Sequence, residues 1–327
     1  MRHGHAQALS RVEHIEGDPM FNLRRARVPR TTAFDPTLPS IRVNGYLFHA
    51  ETFGNPASPP LIVIHGGPGG DYQSLLSLAM LSDEYHVLFY DQRGSGLSPR
   101  EDHSDPSIEA FLRDLGSLVD LHGMGRTMRL IGHSWGGILA TAYLARHPDK
   151  VSHAVIAEPG ILHPESAKAM VVKLREYLTF WKKISALPIF LRYPFVFSED
   201  GHERMDYIAT KMVGSSEGPP YQCEGEKLPS GFVRRAGYAI MKATVIPLID
   251  NPALFRDNYT DGLHNYTGKI LLLSSECSFI GYEFQERYHR PRFPRNTQHA
   301  MIDGTGHNML TLRPAESLQI IRPFLRQ

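Results

Sequence analysis

Eight short apolar runs, at 41–43, 46–53, 61–64, 87–90, 128–131, 151–157, 270–273 and 300–302, alternate with stretches of helical periodicity and are set apart by Gly, Pro or Asp. Strands separated by helices cannot pair through tight hairpins. They need crossovers, which build a mostly parallel sheet with helices on its faces. The expected helices lie at 72–81, 108–121, 135–146, 284–288 and 315–325, and no internal repeat is visible. The fold class is therefore α/β.

The alternation fails between 164 and 268, where helical patterns carry aromatics (Phe180, Trp181, Phe190, Tyr193, Phe195, Phe197) and a Gly/Pro/Ser stretch runs from 214 to 231. A hundred residues without strands, inserted inside a sheet protein, are expected to form a helical cap over the strand ends. The domain reading is an N-terminal extension at 1–39, a first core part at 40–163, the cap at 164–268 and a second core part at 269–327.

Composition narrows the function. Of 327 residues, 42% are hydrophobic and 21% charged, as in globular proteins. Thirty-five Lys and Arg against 34 Asp and Glu leave a formal charge of +1, so no field draws nucleic acid or an anionic membrane. Arg24, Arg25, Arg27 and Arg30, close to several prolines, read as an extended lead-in and not as a nucleic-acid arm. No apolar run reaches the ~18 residues of a membrane span, and 1–30 lacks the apolar centre of a secretory signal. Two cysteines, Cys223 and Cys277, are too few for a disulfide framework or a zinc site, which gives the expectation of a reduced, cytoplasmic protein with Cys277 a buried structural thiol.

Gly132-His133-Ser134-Trp135-Gly136 joins the run 128–131 directly to the helical pattern 135–146. A nucleophilic serine needs this context: a tight strand-to-helix turn that projects its hydroxyl, with small residues on either side. Gly214 to Gly218 repeats the pattern around Ser216 but runs into two prolines, with no strand before it, and is set aside. After the run 61–64 comes His65-Gly66-Gly67-Pro68-Gly69-Gly70, whose bare backbone can aim N–H groups into a cavity. The N–H groups of Gly67 and Trp135 are the candidate oxyanion hole.

These two motifs, with Asp91-Gln92-Arg93-Gly94-Ser95-Gly96 between them and Gly304-Thr305-Gly306-His307 beyond, resemble in order and spacing the proline iminopeptidase-like family of α/β hydrolases. The resemblance implies an eight-stranded core with a cap between strands six and seven, Ser134 as nucleophile and His307 as general base and acid. It covers 46–157 well and the last third loosely. At the usual place of the family's acid, after strand seven, this chain has Ser278. Two carboxylates stand as substitutes: Glu276 in the same turn, or Glu158 at the end of strand six, where haloalkane dehalogenases and zearalenone lactonases carry theirs. Glu158 is the preferred triad acid and Glu276 the alternative. Asp91, Arg93 and Gly94 read as scaffold, and His133 as packing beneath the elbow.

The resulting expectation is a serine hydrolase that forms an acyl-enzyme and needs no metal or organic cofactor. A serine at 134, in place of an aspartate, sets aside chemistry through an alkyl-enzyme ester. Its substrate is a small molecule or short peptide: an aminopeptidase acting on small substrates, or alternatively an esterase or lactonase. A ligand-binding protein on a hydrolase fold is the minor alternative. The cap acids Glu199, Asp200, Glu203, Asp206, Glu217, Glu224 and Glu226 include no motif that selects an ammonium site. Nothing in the sequence decides whether the chain forms homo-oligomers.

Overall fold

Side chains alternate across a strand, so a run such as Pro-Leu-Ile-Val-Ile at 60–64 is apolar throughout only where both faces of the sheet are covered. In the computed structural model, which describes residues 26–101, 105–177, 192–214 and 220–327, this is what happens. Ile62 and Ile64 pack with one core cluster, which includes Phe111 and Leu115 of helix α1 (Ile108–Gly123) and Leu139 and Tyr143 of α2 (Trp135–Arg146). Leu61 and Val63 point to the other, built on Leu75 and Leu78 of the 3-10 helix Tyr72–Asp83 and Ile321 and Phe324 of the last helix, Pro314–Leu325.

The strands are β1 (Ser40–Val43), β2 (Tyr46–Phe53), β3 (Pro60–Ile64), β4 (His86–Tyr90), β5 (Met128–His133), β6 (Val151–Ala157), β7 (Lys269–Ser275) and β8 (Gln298–Ile302). They form one sheet in the order β1-β2-β4-β3-β5-β6-β7-β8. The β1/β2 and β2/β4 pairs are antiparallel and the remaining five parallel. All eight expected strands are present. The helix expected at 72–81 is a 3-10 helix, and that at 284–288 is a short helical turn, Tyr282–Phe284, followed by one π-type turn, Gln285–His289.

Between β6 and β7 the described residues are helical and irregular, with α3 (Pro164–Tyr177) and the helices Glu203–Gly214, Tyr238–Thr244 and Ile246–Asp250. Arg24, Arg25, Phe180, Trp181, Phe190 and residues 215–218 of the motif around Ser216 lie outside the described residues. Among the described residues, no helix is long and apolar enough to cross a membrane.

Candidate active site

The parallel order leaves the ends of β3, β5, β6, β7 and β8 along one edge of the sheet, where crossing helices do not fill the crevice. The five loops that leave these ends carry the candidate residues.

Ser134 stands between β5 and α2 with φ 55° and ψ −116°, a region that side chains avoid. The turn is imposed by its neighbours. A Cβ on Gly132 would lie 2.3 Å from the Gly136 carbonyl oxygen, and one on Gly136 only 2.1 Å from that of Ile64. Strand and helix therefore close to backbone contact, and Ser134 N–H donates to Ala157 O at 2.8 Å. Trp135 opens α2, so its N–H has no partner within the helix and lies at the positive end of the helix dipole.

Gly67 also has positive φ, 132°, and a Cβ there would meet the amide nitrogens of Gly69 and Gly70 at 2.6 Å. The loop is fastened from beneath by buried His65. Its Nε2 accepts from Gln92 N–H at 3.0 Å, Gln92 Nε2 donates to His65 O at 2.8 Å, and Trp135 Nε1 donates to Gln92 Oε1 at 3.0 Å. Burial holds the His65 imidazole below its usual pKa, so it stays neutral and can accept. Asp91 accepts from Tyr72 N at 2.8 Å and Leu97 N at 2.7 Å and bonds His49 Nδ1 at 2.7 Å, while Arg93 pairs with Asp114. These contacts are internal to the core.

Glu158 follows β6 in a left-handed conformation, φ 41°, and is fully buried. Its Oε1 accepts from Ser275 N at 2.6 Å and from Ser275 Oγ at 2.5 Å; its Oε2 takes His307 Nδ1 at 2.6 Å. Two donors from the end of β7 thus help solvate a charge that burial would otherwise penalise heavily. Because a carboxylate only accepts, the His307 proton belongs on Nδ1 and Nε2 is left free to accept. His133 is buried against His307, ring centroids 4.5 Å apart, and its Nε2 bonds the His307 carbonyl at 2.8 Å. Burial first, and the neighbouring His307 second, push His133 down to about 3, so it remains neutral. Among the described residues the Ser134 hydroxyl has no hydrogen-bond partner, and such bonds are commonly loose before substrate arrives.

Glu276 is elsewhere. It is exposed, and its Oε2 accepts from Gly304 N at 2.8 Å, capping the turn before His307 without touching the imidazole. Ser278, where the usual acid would stand, is buried, and its hydroxyl accepts from Ile280 N.

The reading of two unbridged thiols is corrected. Cys223 and Cys277 form a disulfide, Cα atoms 5.0 Å apart, although 54 residues separate them. The count of two ruled out a framework, but a single bridge needs only proximity, which the chain between β6 and β7 supplies by folding back over the end of β7. Sequence reasoning also missed Ser275 and the stretch 220–226, whose Tyr221 ring lies tilted against that of His307 with centroids 5.2 Å apart.

A cavity of about 490 Å³ opens at Ser134. Gly67, Trp135 and Tyr221 flank the serine, and the walls beyond are mostly apolar, with Ile161, Val171, Leu248 and Phe255 among them and Glu109 and Asp257 as the charged exceptions.

The comparisons with known proteins agree with this architecture. Residues 59–183 match the family described as the alpha/beta hydrolase fold. The proline iminopeptidase of Xylella fastidiosa (strain Temecula1 / ATCC 700964) is 31% identical over 133 residues, covering 40% of this chain and 42% of the relative, so the match spans under half of that protein. Among solved structures, the proline iminopeptidase of Mycobacterium smegmatis superposes with a TM-score of 0.60 at 20% identity, covering 88% of this chain and 97% of the other. The enol-lactonase of Burkholderia xenovorans LB400 does so with a TM-score of 0.58 at 20% identity, covering 88% and 100%. The chain has the α/β-hydrolase fold, and over residues 59–183 it matches that family. At the sequence level it is similar to proline iminopeptidases over 40% of its length.

Proposed function

We propose that this protein is a serine hydrolase that cleaves the acyl bond of an uncharged, largely apolar ester or lactone. The observation that carries the substrate class is the lining of the cavity at Ser134. An aminopeptidase must bind a free ammonium group, yet the acids of the insertion are engaged elsewhere. Glu199 pairs with Arg30, Asp200 and Asp206 with the buried Arg235, Glu203 accepts from Ser198 and two backbone N–H groups, and Glu226 holds the loop before His307. Glu224 is exposed, and Glu217 lies outside the described residues. Two carboxylates do reach the lining, both from exposed residues: Glu109, paired with Arg146, and Asp257, which accepts from Tyr259. They give the aminopeptidase reading its foothold.

In the proposed reaction Ser134 Oγ attacks the carbonyl carbon while its proton passes to His307 Nε2. The oxyanion accepts from the N–H groups of Gly67 and Trp135, which are fixed before reaction and cost no reorganisation. Glu158 balances the imidazolium through the Nδ1–H. On collapse, Nε2–H protonates the leaving alkoxide, and the acyl group remains on Ser134. Water then repeats the sequence, giving up one proton to His307, and the acid and free serine are released. Removing one oxyanion donor in such sites typically costs 10²–10³ in turnover.

The test compares p-nitrophenyl esters of increasing acyl length, a lactone series, and prolyl and alanyl arylamides with free or blocked amines, each with a Ser134→Ala control. Esters or lactones should dominate, with kcat/KM rising roughly fourfold per added methylene while the cavity accepts it, the equivalent of about 0.8 kcal/mol each. Turnover confined to free-amine arylamides would overturn the substrate class and make Glu109 and Asp257 the ammonium site. Failure of a fluorophosphonate to label Ser134 would leave the non-enzymatic alternative.

A further inference from the structure

Outside the proposed catalytic groups, the densest set of contacts around His307 comes from 220–226, a stretch that is not part of the sheet. His307 N–H donates to Tyr221 O at 2.6 Å. Gly306 N–H donates to Glu226 Oε2 at 2.9 Å, and Thr305 Oγ1 to Glu226 Oε1 at 2.7 Å. The stretch is also joined to the turn after β7, where Phe279 N–H donates to Pro220 O at 2.9 Å, and that turn is bound to the same loop by Cys277 N–H donating to Thr305 O at 3.1 Å. Contact is close enough to exclude any side chain at 306, since a Cβ there would lie 2.2 Å from Tyr221 O. The Cys223–Cys277 disulfide closes this three-way junction.

We propose that Glu226 is a positioning residue for His307, and that the Cys223–Cys277 bridge is the latch that keeps it in place, so that turnover depends on the oxidised state of the bridge. This rests on the hydrolase reading above. Three consecutive residues, 305 to 307, are held through Glu226 and the Tyr221 carbonyl, and the Nδ1 of the third must stay on Glu158. Only the bridge makes the holding covalent. Something also opposes the docking: Gln222 is buried, and among the described residues neither of its amide atoms has a partner. A stretch that carries such a cost loosens when its tether is cut. Cys277 is exposed and Cys223 partly so, which leaves the bridge open to a dithiol. The exchange passes two electrons and two protons to the cysteines, giving two thiols, and the reductant leaves as its own disulfide.

Geometry also says which substitution should be tolerated. Glu226 Oε2 accepts from two backbone N–H groups, those of Gly306 and Cys223, while Oε1 meets only the Thr305 hydroxyl. A glutamine can keep its oxygen on the N–H groups and donate to the hydroxyl, which can reverse its role. Alanine keeps neither.

The experiment follows an ester substrate with wild type, Glu226→Ala, Glu226→Gln, the double variant Cys223→Ser/Cys277→Ser, and wild type treated with dithiothreitol. Each sample is melted and titrated with a fluorophosphonate. In Glu226→Ala, kcat and the rate of Ser134 labelling should fall together by 10- to 100-fold with KM changed less than threefold, and Glu226→Gln should recover at least a third of wild-type kcat. The reduced enzyme and the double-serine variant should fall by at least fivefold, and reoxidation should restore the wild type. Folded Glu226→Ala with kcat within threefold of wild type, or a Gln variant as poor as Ala, would overturn the positioning role. A reduced enzyme and a folded double-serine variant both at full kcat would overturn the latch. If wild type itself is neither labelled at Ser134 nor sensitive to Ser134→Ala, it is the hydrolase reading that fails.

Discussion

Replacing Glu158 by glutamine changes one atom and, by the contacts of this site, reverses a proton. The carboxylate accepts on both sides at once, from Ser275 N and Oγ at Oε1 and from His307 Nδ1 at Oε2. An amide can accept on only one. The Ser275 backbone N–H cannot be turned away, and leaving it buried without an acceptor would cost about 1–3 kcal/mol, so the glutamine oxygen goes to Ser275 and its NH₂ faces His307. Nδ1 must then accept, the ring proton moves to Nε2, and Nε2 can no longer take the proton of Ser134. A wrong tautomer in an otherwise intact triad lowers kcat by roughly 10⁴, about 5.5 kcal/mol at 1.36 kcal/mol per decade. The assay is kcat on a p-nitrophenyl ester for purified Glu158→Gln, with a thermal melt to show that the fold survives. A folded variant with kcat within tenfold of wild type would refute the reasoning. Glu276→Gln on the same plate should stay within twofold, because that carboxylate meets only Gly304 N–H.

Three further outcomes follow from the same contacts. Ser134→Gly should melt about 2 °C above Ser134→Ala while both are inactive, because glycine relieves the positive φ at a modest entropic cost; a lower melt for the glycine variant would contradict the strained elbow. His122, His133 and His153 are buried with pKa values pushed by burial to about 4, 3 and 4, so between pH 6.5 and 4 the unfolded chain binds more protons. Stability should therefore fall on acidification through that window, by about 2 kcal/mol per histidine at pH 5. With His65, His86, His163, His289 and His299 also held down by burial, this outweighs the opposing trend from the raised carboxyls of Asp71, Asp114 and Asp200; a melting temperature that rises from pH 7 to 5 would refute it. Met170→Trp, on the cavity wall, should lower the hexanoate-to-acetate ratio of kcat/KM roughly tenfold, the worth of about two excluded methylenes, and an unchanged ratio would place the acyl chain elsewhere.

The central strands, such as β3 and β7, were legible because a run buried on both faces is apolar at nearly every position, and that pattern admits few alternatives. The 3-10 geometry of Tyr72–Asp83 was not, since apolar spacing in so short a stretch does not separate the two helix types. The tight turn at Ser134 could be read from Gly132 and Gly136, as each stands where a backbone passes within van der Waals contact. Glu158 was visible as a carboxylate at a strand end. What stabilises it was not: Ser275 lies 117 residues away in sequence and Glu226 lies 80 residues from the glycine it holds, and such pairings leave no local pattern. The bridge was missed for a related reason, because cysteine number says nothing about which loops the fold brings together.

The bridge also makes the chain topologically closed between positions 54 residues apart, and the closed part contains the whole of β7. Residues 229–231, within it, are exposed. A protease that cuts there would produce two polypeptides that still migrate as one band without reductant, with the seventh strand held to the fragment that carries Ser134 as well as to its own. Proteolytic maturation or damage in this stretch would thus pass unseen in a non-reducing gel, and a reducing gel would be needed to reveal it.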